Sequence, residues 1–114
     1  MVLPQGRLCT EDDAPRAGSG ALPRVASEEA AAEALAAGAR VMVLRLPPSV
    51  HGAGDHGFVP MLIDIARQRG ASAWIGDGAN LWPAVARADA ARLYRQALEG
   101  GEAGARYHAV AEPG

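Results

Sequence analysis

The chain has 114 residues and a mass of 11.7 kDa, the size of one small domain or of a piece of a larger protein. A net charge of −2 argues against a nucleic-acid-binding surface, and no apolar run is long enough to span a membrane. The single cysteine, Cys9, excludes an intramolecular disulfide and fits a reducing compartment, so we expect a cytoplasmic protein without nucleic-acid or membrane partners. Hydrophobic residues make up 49% of the chain but aromatic residues only 4%, which predicts a thin core.

The first 23 residues are rich in turn formers and lack apolar periodicity, which predicts a poorly ordered linker or loop. Residues 24–114 are then expected to form the structured domain. An alanine-rich helix is predicted over residues 27–37, with Ser27 as its N-cap and Gly38 as its C-cap. A catalytic role for the Ser27 hydroxyl is the less favoured alternative, because serine is a preferred N-cap residue.

A continuous apolar run predicts a strand over residues 40–46, buried on both faces as in a parallel sheet, with its neighbouring strand located before residue 24. Pro47 and Pro48 end this strand and begin a glycine-rich loop. A helix is predicted over residues 59–69, with Pro60 in its first turn and Gly70 as its C-cap. The residues expected along its apolar face are Phe58, Leu62, Ile65 and Ala66.

The remainder of the chain alternates between short strands and one further helix. Strands are predicted over residues 72–75 and 106–111, with an extended edge segment over residues 82–86. Asp89 is predicted to cap a helix that ends at Gly100 and Gly101, with the apolar face Ala90, Leu93, Tyr94, Ala97 and Leu98. Residues 76–80 favour a tight turn over a phosphate-binding loop. This alternation predicts an α/β fold.

The loop that follows the predicted strand 40–46 is the strongest candidate for a ligand site, because open α/β sheets bind ligands beyond the carboxyl ends of their strands. His51, Asp55 and His56 lie in it, but their spacing is not that of a common metal site, so a histidine that hydrogen-bonds backbone or a ligand is favoured over zinc or iron binding. Trp74 and Trp82 are more readily explained as core residues than as stacking surfaces. A catalytic role for Cys9 is not favoured, because no histidine is near it in sequence.

Several segments resemble, in order and spacing, the later half of the extended or atypical short-chain dehydrogenases/reductases, the NAD-dependent epimerase/dehydratase-like proteins. They are RLPPSVHG at residues 45–52, GDHGFVP at 54–60, GDGAN at 76–80, WPAV at 82–85 and DAARLY at 89–94. The resemblance implies a partial Rossmann-like fold over residues 24–114: the later half of a parallel sheet with flanking helices and a small substrate-side subregion. It also implies an NAD or NADP cofactor and a small-molecule substrate. The residues it places at the cofactor are Pro47, Pro48, Ser49 and Val50, and those on the substrate side are His51, Asn80 and Trp82.

The chain departs from that family in two respects. The family's glycine-rich dinucleotide fingerprint lies after its first strand, and that region is missing here. Arg24 and Glu28 stand at the positions of the Tyr-x-x-x-Lys pair, so no catalytic residue is assigned and activity is left open. We therefore expect a fragment of an NAD(P)-dependent oxidoreductase or nucleotide-sugar epimerase-like protein, inactive as an isolated chain. The alternative is a non-catalytic Rossmann-like binding or interaction module. In either case we expect an exposed sheet edge that favours self-association or pairing with a partner.

Overall fold

The structure, a computed structural model, describes residues 9–14 and 23–111. The three helices of this part of the chain are Pro23–Ala36 (α1), Phe58–Arg69 (α2) and Arg87–Gly100 (α3). The four strands are Val43–Arg45 (β1), Ser49–His51 (β2), Ala84–Ala86 (β3) and Arg106–His108 (β4). The expectation of a mixed α/β chain with parallel strands is confirmed, and the strands form two small sheets, β1–β4 and β2–β3.

The chain divides into two compact units. The first unit consists of Met1–Arg45 and Arg95–His108, and the second of Leu46–Tyr94 and Ala109–Gly114. Each unit contains one of the two parallel strand pairs, and α3 contributes its C-terminal half to the first unit and its N-terminal half to the second. Residues 1–8 and 15–22 of the predicted linker lie outside the described part of the chain.

In the first unit, β1 and β4 pair in parallel, with Val43 opposite Arg106 and Arg45 opposite His108. The parallel pairing of the apolar strand is confirmed, but its neighbour in the structure comes from the C-terminal part of the chain rather than from before residue 24. The expected burial on both faces is wrong, because Val43 and Leu44 are only half-buried and β1 has a single partner among the residues described.

The ends of the helices show which capping predictions hold. The α1 helix is followed by Gly38, whose φ is +90°. The Gly38 N–H donates to the Leu35 carbonyl and the Ala39 N–H donates to the Ala34 carbonyl, so Gly38 is the glycine of a Schellman motif. Ser27 is not an N-cap, because the helix begins at Pro23 and Ser27 lies in its second turn. Proline is well suited to a first turn, since its missing N–H would have no intrahelical partner there.

In the second unit, β2 and β3 pair in parallel with Ser49 opposite Ala84 and His51 opposite Ala86. Their contact contains the best-buried apolar residue of this unit's strands, Val85. The β2 strand was not predicted, because residues 49–51 were assigned to the loop. The predicted strand at residues 72–75 is wrong: these residues are exposed and have no strand partner in the described part of the chain.

Helices α2 and α3 follow the predicted order but not all of the predicted detail. The α2 helix ends at Gly70 in the left-handed conformation, as expected, yet none of its residues is buried. Asp89 is not an N-cap, because α3 begins at Arg87 and Asp89 lies in its first turn, where its carboxylate pairs with Arg92. On the predicted apolar face of α3, Ala90 and Ala97 are buried, whereas Tyr94 and Leu98 are exposed.

Candidate functional site

The predicted cofactor and substrate residues all lie in the second unit, and Ser49, Val50 and His51 form its strand β2. Pro47 and Ser49 are buried, Val50 is half-buried and Pro48 is exposed. His51 ends β2 and is half-buried opposite Ala86. The parallel pairing joins residues 49–51 to residues 84–86, which are distant from them in sequence and begin two positions after Trp82.

The turn after β2 is held by hydrogen bonds within the second unit. Arg87 donates from Nη2 to the Ala53 carbonyl at 2.8 Å, while its side chain lies so close to Gly52 that a Cβ there would meet the Arg87 Cβ at 3.4 Å. Asp55 Oδ1 accepts the Gly57 N–H at 2.8 Å. Asp55 is therefore engaged in shaping the turn. Among residues 9–14 and 23–111, no three histidine, cysteine or carboxylate side chains come together as a metal site would require.

An aromatic pair lies at the start of α2. The rings of Phe58 and Trp82 stack with centroids 5.4 Å apart and planes inclined by 23°, and both side chains remain about half-exposed. Trp82 was predicted on the substrate side, but its contact with Phe58 was not, because the residues are 24 positions apart and nothing in the local pattern links them. The stack leaves an aromatic surface open to a ligand ring or to another polypeptide.

Residues 76–80 form the predicted tight turn. Gly76 and Gly78 have φ of +60° and +78°, a backbone conformation that residues other than glycine rarely adopt. Asp77 Oδ1 accepts the Ala79 N–H at 3.0 Å, and the Gly78 N–H bonds to the Ile75 carbonyl. These contacts are those of a self-contained turn. Asn80, which follows it, is exposed.

The first unit contains a polar cluster that sequence reasoning missed, made of Arg45, Glu28, Glu11, Asp13 and His108 and called here the Arg45 cluster. Arg45 is buried at the end of β1. Its Nε and Nη2 donate to the two carboxylate oxygens of Glu28 at 3.0 and 2.8 Å. Its Nη1 donates to the Asp13 carbonyl at 2.8 Å and to the Glu11 carbonyl at 3.3 Å. All three guanidinium nitrogens of Arg45 thus have protein partners.

The charges in the Arg45 cluster favour ionised carboxylates. Hydrogen bonding from Arg45 lowers the pKa of Glu28 below its ordinary value of 4.5, with the nearby charges of Arg45 and Arg106 acting in the same direction. The pKa of Glu11 is lowered chiefly because its carboxylate accepts the His108 backbone N–H, at 3.1 Å. The sequence signals that could have revealed the cluster are an arginine inside an apolar strand and a glutamate at the position that the resemblance gives to a catalytic lysine.

The groups in the Arg45 cluster can anchor the segment 9–14 and α1 to the ends of β1 and β4. Glu28 forms a bidentate ion pair with Arg45, and a carboxylate cannot lower the pKa of a phenol as a lysine ammonium would. Arg24, at the tyrosine position, is exposed and has a guanidinium in place of a phenol. The cluster therefore holds structure and does not reproduce the proton transfer of a Tyr-x-x-x-Lys pair.

Comparison with known proteins places the chain beside two fungal proteins. It is 56% identical over 93 residues to an uncharacterized protein of Schizosaccharomyces pombe, a match covering 82% of this chain and 32% of that protein. It is 45% identical over 91 residues to an uncharacterized protein of Saccharomyces cerevisiae, covering 80% of this chain and 30% of the relative. The chain thus spans about a third of the length of the curated relatives it matches. Its sequence matches no protein-family profile, and no solved structure matches it. In the part of the chain that the structure describes, no helix is both long and apolar enough to cross a bilayer.

Proposed function

We propose that this chain is part of an NAD(P)-dependent oxidoreductase or nucleotide-sugar epimerase-like protein and that residues 47–51 contribute to its cofactor and substrate pocket. The observation that carries the proposal is the parallel pairing of β2 with β3, which sets His51 opposite Ala86 at the carboxyl ends of both strands. Ligands of open α/β sheets bind at that end of the strands. The family resemblance of the same residues supports the assignment.

The residues present fit only one end of such a cofactor. Pro47 to Val50 offer an uncharged segment, buried at Pro47 and Ser49 and exposed at Pro48, that is suited to lie against a nicotinamide ring. The resemblance assigns His51, Asn80 and Trp82 to the substrate side. A Gly52-x-Gly54-x-x-Gly57 spacing lies between β2 and α2, but the resemblance places the family's dinucleotide fingerprint after an earlier strand, so we assign the pyrophosphate contact to the portion of the relatives outside the matched residues. When bound, the cofactor would supply hydride transfer.

A second candidate function is a non-catalytic Rossmann-like binding module. It is favoured by one observation, the ion pair between Glu28 and Arg45, with a shortest N–O distance of 2.8 Å and both side chains largely buried. Glu28 stands at the lysine position of the resemblance, and a carboxylate locked to arginine has no proton to give at neutral pH. Under this alternative the protein binds a nucleotide cofactor without turning it over.

The test uses a chimaera in which the matched residues of this chain replace their counterpart in the S. pombe relative, with NADH and NADPH binding measured by titration calorimetry. We expect one of the two cofactors to bind. The Pro48→Asp variant should weaken binding at least tenfold, because it places a hydrated carboxylate against the uncharged reduced nicotinamide ring. Ser72→Asp adds the same charge at an exposed position outside the assigned site and should leave affinity unchanged. Failure of the chimaera to bind either cofactor, or equal losses in the two variants, would contradict the proposal.

Turnover then separates the two candidates. A chimaera that binds the cofactor and interconverts NAD(P)+ and NAD(P)H with a carbonyl or alcohol substrate supports the oxidoreductase. Binding without any change in the 340 nm absorbance of the cofactor, across a panel of nucleotide sugars and small carbonyl compounds, supports the binding module.

A further inference from the structure

The two outer edges of the β1–β4 sheet differ in what covers them. The Val43 N–H bonds to the Ala105 carbonyl at 3.0 Å, so Val43 and Arg45 direct their backbone groups towards β4. Because successive residues of a strand alternate in direction, the N–H and carbonyl of Leu44 face away from β4. No hydrogen bond of either Leu44 group is found within residues 9–14 and 23–111.

The outer edge of β4 is occupied instead. The His108 N–H faces away from β1 and donates to Glu11 Oε1 at 3.1 Å. A carboxylate at that position takes the hydrogen bond that an added strand would need and places a negative charge beside the edge, which discourages pairing there. Among the residues described, the edge beside Leu44 is therefore the one that a third strand could join.

The path of the chain indicates that such a strand would be parallel to β1. The α1 helix leads into β1 through residues 37–42, so α1 and β1 form the second part of a crossover unit. The segment before α1, residues 9–14, is fastened by Arg45 and His108, which are the last residues of β1 and β4. In a crossover unit the first strand ends at this carboxyl edge, and it lies parallel to the strand that follows the helix.

From these observations we infer that the open edge of β1 at Leu44 binds a parallel strand from polypeptide corresponding to the portion of the relatives outside the matched segment. The relatives supply the reason for this source, since the chain covers only 32% and 30% of their lengths. A parallel sheet of only two strands is also expected to be of low stability, because parallel sheets are found almost only as larger sheets covered on both faces. Such pairing does not depend on a bound cofactor.

The first experiment measures amide hydrogen exchange by NMR. In the isolated chain, the Val43 and Arg45 amides, which bond to β4, should exchange more slowly than the Leu44 amide. The chain is then co-expressed with the S. pombe relative from which the 93 matched residues have been removed. In that complex the Leu44 amide should exchange at least tenfold more slowly than in the isolated chain. A complex in which Leu44 is unchanged, or an isolated chain in which Leu44 is already as protected as Val43, would overturn the inference.

A pair of proline variants tests the same edge. Leu44→Pro removes the N–H that faces the open edge and leaves the bonds to β4 intact, so it should abolish co-purification with the S. pombe polypeptide. Arg106→Pro removes an N–H that faces the outer edge of β4 and should leave co-purification unchanged. If both variants co-purify equally, the strand does not add at Leu44. If the isolated chain forms dimers that Leu44→Pro dissolves, the occupant is a second copy of this chain and the inference fails, whatever the result of cofactor titration.

Discussion

In the first unit the buried side chain at the end of β1 is a charged arginine, whereas in the second unit the apolar helix α2 buries none of its side chains. Arg45 reaches this burial because α1 supplies a carboxylate and the segment 9–14 supplies two carbonyl oxygens. The α2 helix leaves large apolar residues about half-exposed, namely Val59, Met61, Leu62, Ile63 and Ile65.

The difference teaches where each unit obtains its stability. A buried ion pair contributes only when every partner is present, since each charge left alone in the interior carries a large desolvation cost. An exposed apolar side chain contributes little to the unit that carries it, because little of its area has been removed from water. A wide apolar face such as that of α2 stabilises a helix only when it packs against further polypeptide. Mutations should therefore be costly in the Arg45 cluster and nearly neutral on α2.

The largest expected effect is that of Arg45→Ala. It leaves the Glu28 carboxylate largely buried without its partner and frees two carbonyl acceptors, which should cost about 3–5 kcal/mol in the free energy of unfolding. The matched control, Arg95→Ala, removes an ion pair with Glu99 in which both side chains are mostly exposed, and should cost at most about 0.5 kcal/mol. Urea unfolding followed by circular dichroism measures both. Equal losses would show that the Arg45 cluster adds no more than a surface pair.

The same truncation at two valines sharpens the comparison within the second unit. Val85 in β3 is 3% exposed. Val85→Ala should lower the free energy of unfolding by about 2 kcal/mol, because it removes buried apolar area and leaves a cavity. Val59 on α2 is 38% exposed, and Val59→Ala should change stability by less than about 0.5 kcal/mol, because alanine also has the higher helix propensity. Thermal melts of the two variants measure the difference. A Val59→Ala loss as large as that of Val85→Ala would mean that α2 is packed in the isolated chain.

Two adjacent glycines test the packing at the end of α3. A Cβ at Gly101 would lie 2.6 Å from the Ala97 carbonyl oxygen and 2.8 Å from Met42 Sδ, so Gly101→Ala should cost about 1–2 kcal/mol. A Cβ at Gly100 meets no atom within 4 Å, and Gly100→Ala should stabilise the chain by about 0.5 kcal/mol. Chemical denaturation of the Gly101→Ala and Gly100→Ala variants measures both changes in the free energy of unfolding. A stabilising Gly101→Ala would show that the close approach of α3 to Met42 is absent in solution.

Features that depend on neighbouring residues could be predicted from the sequence. The α2 helix, the left-handed Gly70 and the Schellman glycine Gly38 follow from apolar periodicity and from the conformational freedom of glycine. The turn at residues 76–80 follows likewise from its glycines and Asp77. The two N-cap predictions, Ser27 and Asp89, were wrong because a good capping residue is equally tolerated inside the first turns, and Pro23 and Arg87 begin those helices instead.

Features that depend on distant residues could not be predicted. The β2 strand has three residues and exists as a strand through its pairing with β3, more than thirty positions later. Residues 72–75 have strand-like composition but no strand beside them in the described part of the chain. The burial of Arg45 requires Glu28 and the carbonyls of residues 11 and 13, and no local pattern brings these groups together. The assigned cofactor and substrate residues remain predictions of the resemblance.

The smallest effect that we expect is the acid dependence of the Arg45 cluster. The pKa of Glu28 in the folded chain lies below its ordinary value, chiefly through hydrogen bonding from Arg45, so the ion pair contributes fully above about pH 4.5 and is lost as the pH falls through the lowered pKa. Glu28→Gln keeps an acceptor for Arg45 but no titrating group, and should therefore flatten the decline of unfolding free energy between about pH 6 and about pH 3. Glu99→Gln, in the exposed pair with Arg95, should retain the wild-type decline. Urea titrations at several pH values measure the slopes, and a Glu28→Gln slope equal to that of wild type would mean that the acid sensitivity of the first unit arises outside the Arg45–Glu28 pair.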